Sequence, residues 1–185
     1  MLAIVVLVIG GILQSREMMA NRKLKQIEND CAAIAAGIET YRNLYGELPG
    51  DDPAASARFA GEWSATDNGD GDGLITGGWD SMDNSSESRK FWKHLRGAGL
   101  IEGPVDNSNP SYQQPTGPFG GAIGIDRNTY NIRGLTMVFG RIPGNVAAML
   151  EERGDDGAAN TGRMQGHITH ADYEHDLLYD LAVSP

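Results

Sequence analysis

Residues 1–45 read MLAIVVLVIGGILQSREMMANRKLKQIENDCAAIAAGIETYRNLY, and this stretch decides which fold the chain can adopt. It contains no proline and glycine only at positions 10, 11 and 37, so one continuous helix over residues 1–45 is predicted. At 1.5 Å per residue that helix is about 65–70 Å long. Residues 46–185 form too small a head to cover it, so part of the helix must lie in a membrane or against other helices.

The two halves of the predicted helix differ in character. The first thirteen residues, Met1 to Leu13, carry no polar side chain. After Arg16 the apolar residues recur three and four positions apart, which is typical of an amphipathic helix with one buried stripe. That stripe comprises Leu24, Ile27, Cys31, Ile34, Ile38, Tyr41 and Tyr45. We therefore predict an apolar assembly surface followed by a face that docks on the head. The predicted assembly residues are Ile4, Val5, Val8, Ile9, Ile12 and Leu13.

The composition of residues 46–185 indicates an acidic, loop-rich head. From Gly46 onward there are 10 Lys and Arg against 21 Asp and Glu, a balance that would repel nucleic acid. Glycine, Asn, Asp, Ser and Pro cluster over residues 49–88 and 103–124, while aromatic residues spread throughout argue against disorder. Cys31 is the only cysteine, so no intrachain disulfide can form. We interpret it as a small buried hydrophobe, with pairing between subunits as the alternative.

Periodicity within the head predicts an α+β fold with a short antiparallel sheet. A helix is expected over residues 85–95, capped by Ser85 or Ser86 and burying Phe91, Trp92 and Leu95. Strands are expected at residues 130–132 and 135–139, joined as a hairpin at Gly134. A further helix is expected over 144–153 and a last strand over 177–183.

The sharpest local motif is Asn68-Gly-Asp70-Gly-Asp72-Gly73-Leu74-Ile75. Oxygen-bearing side chains at alternate positions, then a glycine and a hydrophobe, match the first half of an EF-hand-type Ca²⁺ loop. The second half departs, because Trp79 stands where a bidentate glutamate belongs. The predicted Ca²⁺ ligands are Asn68, Asp70, Asp72, the Leu74 carbonyl and Asp80, with Asp83 or Glu87 as other carboxylate sources. The alternative is a solvated, glycine-rich surface turn.

Other acidic and histidine clusters favour plainer interpretations. Asp51 and Asp52, after Pro49, are expected to be turn and cap acceptors. Asp155-Asp156-Gly157 is a tight turn or a second cation site, and the turn is favoured. A transition-metal site in the segment 167–176 is less favoured than a polar surface; its candidate ligands are His167, His170, His175, Asp172, Glu174 and Asp176.

Several stretches resemble type IV pilins and the pseudopilins of type II secretion, in particular a pilin-like subgroup with a prepilin cleavage and methylation segment. They are residues 1–19, YRNLYGELPGDDP at 41–53, NGDGDG at 68–73, ESRKFWKHL at 87–95, AGLI at 98–101, IPG at 142–144 and DDG at 155–157. Family members begin with a short basic leader and a start glutamate, and neither is present here. Aligning the apolar runs places Met1 several residues inside the usual mature chain, so a trimmed sequence or a late start codon is expected, and the alternative is a subunit that lacks the start glutamate.

This resemblance implies a structural subunit of a type IV pilus-like surface filament that polymerises through its N-terminal helix. The alternatives are a type II secretion pseudopilin and a membrane-tethered extracellular binding module. The implied partners are copies of the chain and the assembly machinery of the inner membrane. The chain would lie in that membrane before assembly and afterwards outside the cell, or in the periplasm as a pseudopilin.

Three other interpretations of the sequence are disfavoured. A cleaved secretory signal needs a basic start and a small-residue cleavage site, whereas Leu2 follows Met1 directly and residues 13–16 offer no such site. A plain membrane anchor needs about twenty apolar residues, more than this run has unless residues are missing upstream. An enzyme is not expected, because the sequence has no Gly-x-Ser-x-Gly, phosphate-loop or His-Glu-x-x-His motif.

Overall fold

The structure is a computed structural model that describes residues 2–59, 61–168, 172–174 and 177–185, with side chains of the first helix from Met18 onward. The helices are α1 (Leu2–Tyr45), α2 (Ala55–Arg58), α3 (Glu87–Gly97), α4 (Asn109–Tyr112) and α5 (Gly144–Gly154), with a 3₁₀ turn at Ala65–Asp67. The strands are β1 (Ile123–Arg127), β2 (Leu135–Pro143), β3 (Met164–Gly166) and β4 (Leu178–Val183). The predicted α+β class, with a long N-terminal helix and a small antiparallel sheet, is confirmed.

The amphipathic half of α1 packs against the head along the predicted stripe. Its buried members are Leu24, Ile27, Ile34, Ile38 and Tyr41, while Cys31 and Tyr45 are half-buried. The helix stops at Tyr45 because Gly46 adopts a left-handed conformation with φ +80°, where its N–H still reaches the Arg42 carbonyl at 2.8 Å. Within the part of the chain that the structure describes, no helix is both long and apolar enough to cross a membrane. The assembly residues predicted between Ile4 and Leu13 lie outside the described side chains.

The sheet has the strand order β1-β2-β4-β3, and all its neighbours are antiparallel. Alternation along β2 separates two packing faces: Met137 and Phe139 join the main core, whereas Val138 joins a smaller cluster on the opposite face. The main core lies between the sheet and a layer formed by α1, α3 and α5. Helix α1 contacts α3 and α5, and those two helices contact the strands. The face packed on the helices therefore holds most of the buried apolar side chains.

The predicted helices and the last strand are confirmed within a few residues. Helix α3 begins at Glu87 with Ser86 at the N-cap position, and Phe91, Trp92 and Leu95 have no exposed surface. Helix α5 covers Gly144–Gly154 and β4 covers Leu178–Val183, close to the expected 144–153 and 177–183.

The strand predicted at residues 130–132 is wrong. β2 pairs instead with Ile123–Arg127, and residues 128–134 form the connection between them. Tyr130 has φ +54°, which a strand cannot accommodate, and its hydroxyl donates to the Asp180 carbonyl at 3.1 Å. Ile132 is buried with Val138 on the smaller face. The apolar residues of this segment therefore cover the sheet without joining it.

Polar side chains of α3 tie the loops to the core. Lys93 and Asp67 form an ion pair at 2.8 Å in which neither side chain is exposed, and Lys93 also donates to Asn107 at 2.9 Å. The Tyr112 hydroxyl donates to the same Asp67 carboxylate. Burial raises the pKa of Asp67, but the hydrogen bonds from Lys93 and Tyr112 outweigh it and leave the pKa below its usual value. This ion pair holds the segments before α3 and around α4 to one helix.

His94, the next residue of α3, bridges the exit of α1 to the same loop. Its Nδ1 accepts from the Gly50 N–H at 2.9 Å, so Nε2 carries the proton and donates to the Asp67 carbonyl at 2.8 Å. This arrangement requires a neutral imidazole. Burial lowers the pKa of His94 to about 4.

We expect the stability of the chain to fall as the pH is lowered from about 6.5 to about 4. In that window unfolded His94 binds a proton and folded His94 does not, so folding loses up to about 3 kcal/mol from this group. The substitution His94→Gln removes the titration. The variant should be less stable at pH 7.5, and the gap to the parent chain should narrow by pH 4, as measured by chemical unfolding at several pH values.

A matched control is His167→Gln, because His167 is exposed and its ring stacks on that of Tyr130 with the ring centroids 5.3 Å apart. The control should follow the parent chain throughout. A constant gap between His94→Gln and the parent from pH 7.5 to 4 would contradict a neutral, bridging histidine.

Candidate functional site

The glycine-rich loop at residues 68–75 is wrapped around one buried carboxylate, that of Asp51. Its Oδ1 accepts from the N–H groups of Gly71 at 2.7 Å and Asp72 at 3.1 Å, and its Oδ2 accepts from Gly73 at 2.8 Å. Asp51 has no exposed surface. Burial raises the pKa of its carboxyl, the bonds from Gly73 and Gly71 lower it, and the nearby Glu87 raises it again. The expected role as an acceptor is confirmed, although the donors lie twenty residues away and not in a local turn.

Two glycines allow the loop to approach Asp51 this closely. A Cβ at Gly69 would lie 2.3 Å from the Asp51 backbone, and Gly71 has φ +77°. The glycines of the motif are therefore required by the loop geometry itself.

Glu87 holds the other side of the loop from the first turn of α3. Its Oε1 accepts from the Asp70 N–H at 3.0 Å, and its Oε2 accepts from the Thr76 N–H at 2.9 Å and hydroxyl at 2.8 Å. Glu87 is buried. Among the three carboxylates expected to reach the loop from the following segment, Glu87 is the one that the structure places there.

Asp51, Asp70 and Glu87 each bring a carboxylate oxygen within 4.8 Å of the other two. None of the three forms a salt bridge in the part of the chain that the structure describes. Carboxylate oxygens are the ligands that Ca²⁺ prefers, and three of them leave further coordination positions for carbonyls and water. The cluster fits a hard divalent cation.

The predicted ligands are only partly brought together. Asp70 belongs to the cluster, whereas Asp72 and Asp80 are exposed and outside it. The Asp72 Oδ1 accepts from the Leu74 N–H at 2.8 Å, and the Asn68 Oδ1 accepts from the Ser56 N–H at 2.8 Å. Sequence reasoning missed Asp51 as a cluster member, since nothing within residues 41–53 indicates which distant loop it contacts.

Asp52 faces the opposite way and secures the end of α1. Its Oδ2 accepts from the Tyr41 hydroxyl at 2.9 Å and from Arg58 Nε at 2.8 Å, while its Oδ1 accepts from the Ala54 N–H at 2.8 Å. Adjacent aspartates thus bind the long helix on one side and the acidic loop on the other.

The remaining candidate residues are dispersed. His170, His175 and Asp176 lie outside the described residues. Among the rest of that set, His167, Asp172 and Glu174 are exposed. Asp156 accepts from the Ala158 N–H at 2.9 Å and the Thr161 hydroxyl at 2.6 Å, which is the turn favoured from the sequence.

Comparison of the chain with protein-family models, with curated proteins and with solved structures gives no match.

We expect Asp51→Asn to destabilise the folded chain by about 2 kcal/mol. The amide nitrogen would replace one acceptor oxygen and face the N–H of Gly73 or those of Gly71 and Asp72. The matched control is Asp72→Asn, because the exposed Asp72 can keep its bond to Leu74 through the amide oxygen. Chemical unfolding followed by tryptophan fluorescence should separate the two variants. Equal stability of Asp51→Asn and the parent chain would rule out Asp51 as the anchor of the loop.

Proposed function

We propose that this chain is a structural subunit of a type IV pilus-like filament, assembled through its N-terminal helix. The observation that carries the proposal is that, among the described side chains of α1, those that the head buries all lie in the second half of the helix. From Leu24 to Tyr41 one face is buried by the head, whereas Met18 and Met19, just upstream, have more than half of their surface exposed.

The part of α1 before the buried stripe has no counterpart in a self-contained globular protein. From Leu2 to Lys23 the helix extends about 33 Å. Its first residues are apolar on every side in the sequence. An apolar surface of that size is stable only when other chains or lipid cover it. In a filament, the first halves of these helices would pack together at the centre and the acidic heads would lie outside. This arrangement explains why the start of α1 is apolar on every side and why the second half is amphipathic.

The proposed partners and locations follow from that assembly. Copies of the chain would form the filament, with inner-membrane machinery inserting each subunit. The chain would be stored in the inner membrane and then displayed outside the cell, or in the periplasm if the filament is a secretion pseudopilus. The net negative charge of the head disfavours binding to nucleic acid.

Aspartate at Ile4 or Val8 should abolish filaments without unfolding the head. A charge in the packed apolar run costs several kcal/mol of desolvation, while the head core begins only at Leu24. Full-length variants would be produced with the assembly machinery, imaged by electron microscopy and checked for folding by circular dichroism. The control is Ile4→Val, which keeps the apolar surface. Normal filaments from both aspartate variants, or a parent chain that stays dispersed under assembly conditions, would contradict the proposal.

We also propose that Ca²⁺ binds the acidic loop, held by Asp51, Asp70 and Glu87. These carboxylates repel one another, and a divalent cation turns that repulsion into a cross-link between the loop, the α1 exit and α3. Binding to the folded chain alone raises stability by about 2.7 kcal/mol when free Ca²⁺ is 100 times its Kd.

Calcium should therefore raise the Tm of the full-length chain in detergent in a concentration-dependent manner, and a chelator should reverse the gain. Asp70→Asn should reduce the shift. Asp172→Asn, an exposed acidic position far along the chain, should leave it unchanged. An unchanged Tm of the parent chain across millimolar Ca²⁺ would leave the loop as an acidic turn closed by Asp51 and Glu87.

A further inference from the structure

A second acidic cluster lies where α5 ends, and it centres on the buried Glu151. Its Oε1 accepts from the Tyr173 hydroxyl at 3.0 Å. Its Oε2 is buried and has no hydrogen-bond partner among the described residues, and the whole residue has no exposed surface. Buried polar atoms are almost always paired, and an unpaired one costs about 1–3 kcal/mol, more when it is charged.

No donor among the residues that the structure describes reaches Oε2, so the ionised carboxylate leaves this buried atom without a hydrogen bond. A cation beside Oε2 would satisfy it.

Two aspartates that follow α5 converge on the same place. One carboxylate oxygen from each of Glu151, Asp155 and Asp156 lies within 4.8 Å of those from the other two. In the described part of the chain none of the three forms a salt bridge. The nearby guanidinium of Arg163 donates to the Gly154 carbonyl at 3.2 Å.

The aspartates are held in place by the loop between α5 and β3. Asp155 Oδ2 accepts from the Met164 N–H at 2.6 Å. Asp156 accepts from the Ala158 N–H and the Thr161 hydroxyl, as described above. Two carboxylate oxygens offer about four lone-pair positions, so each aspartate retains acceptor capacity for a ligand. The end of α5 adds the partial negative charge of a helix C-terminus.

We propose that Glu151, Asp155 and Asp156 form a binding site for a hard divalent cation, Ca²⁺ or Mg²⁺. All three donors are carboxylate oxygens, which these cations prefer and which softer transition metals do not. The cation would join the end of α5 to the segment before β3, and through Tyr173 to the segment before β4. This site is separate from the acidic loop and does not depend on the filament proposal.

Isothermal titration of the chelator-treated, full-length chain in detergent at pH 8, with CaCl₂ and then MgCl₂, tests the site. The Asp70→Asn background weakens the acidic-loop cluster, so a further loss of binding caused by a substitution at Glu151 in that background reports on the Glu151 site. In that background we expect a bound cation whose affinity falls at least tenfold on Glu151→Gln. Glutamine is the same size, and its oxygen can still accept from Tyr173.

Glu152→Gln is the matched control, because Glu152 is the next residue on α5 and is exposed. In the Asp70→Asn background, Glu152→Gln should leave the affinity for the cation unchanged. Asp156→Asn provides a second test that does not alter the core, since Asp156 is exposed; it too should weaken binding. Cation binding by Asp70→Asn that is unaffected by both Glu151→Gln and Asp156→Asn would overturn the proposal, as would no binding of Ca²⁺ or Mg²⁺ by Asp70→Asn.

Discussion

The packing of one face of α1 against α3, α5 and the core of the head is the constraint on which the rest of the head depends. Leu24, Ile27, Ile34, Ile38 and Tyr41 belong to the same core cluster as the buried side chains of β1, β2, β4, α3 and α5. The head therefore has no complete core without residues of the long helix. An element that carries both the core of the head and the proposed assembly surface couples folding to assembly, because displacement of α1 would expose both.

Two adjacent aspartates extend this constraint from the helix into the loops. Asp52 binds Tyr41 near the end of α1 and Arg58 of α2, and Asp51, one residue earlier, accepts hydrogen bonds from the backbone of residues 71–73. The two neighbouring carboxylates therefore serve different elements of the head. His94 completes the junction by joining Gly50 to the Asp67 carbonyl. The position of the acidic loop therefore depends on the position of α1, because these hydrogen bonds link the two.

The sequence predicted the elements whose signal is local. The three-and-four spacing from Leu24 to Tyr41 and the apolar positions of α3 repeat within a few residues, so their buried faces could be read directly. The prediction of a strand at residues 130–132 failed because buried apolar residues occur in connections as well as in strands. The left-handed backbone of Tyr130, which excludes a strand, is seen only in the structure. The acidic cluster was half predicted: Asp70 lies in the motif and Glu87 was considered, but Asp51 reaches the loop across twenty residues of chain. Glu151 gave no signal at all, because a glutamate in a helix is ordinarily exposed.

The acidity of the head has a structural explanation that also limits where cations can bind. Much of the head lacks the regular hydrogen bonding of helix or sheet, and carboxylates supply acceptors for its loop N–H groups, as Asp83 does for Ser85 and Asp106 for Ser108. Such bonds occupy carboxylate lone pairs and hold loops together in a chain that has no disulfide. An acidic residue that serves one turn alone is therefore explained without a ligand. Carboxylates that converge on one place are different, because their mutual repulsion opposes folding unless something compensates it. Among the described residues this distinction singles out the cluster at Asp51 and the cluster at Glu151, and in the second a buried oxygen is still without a partner.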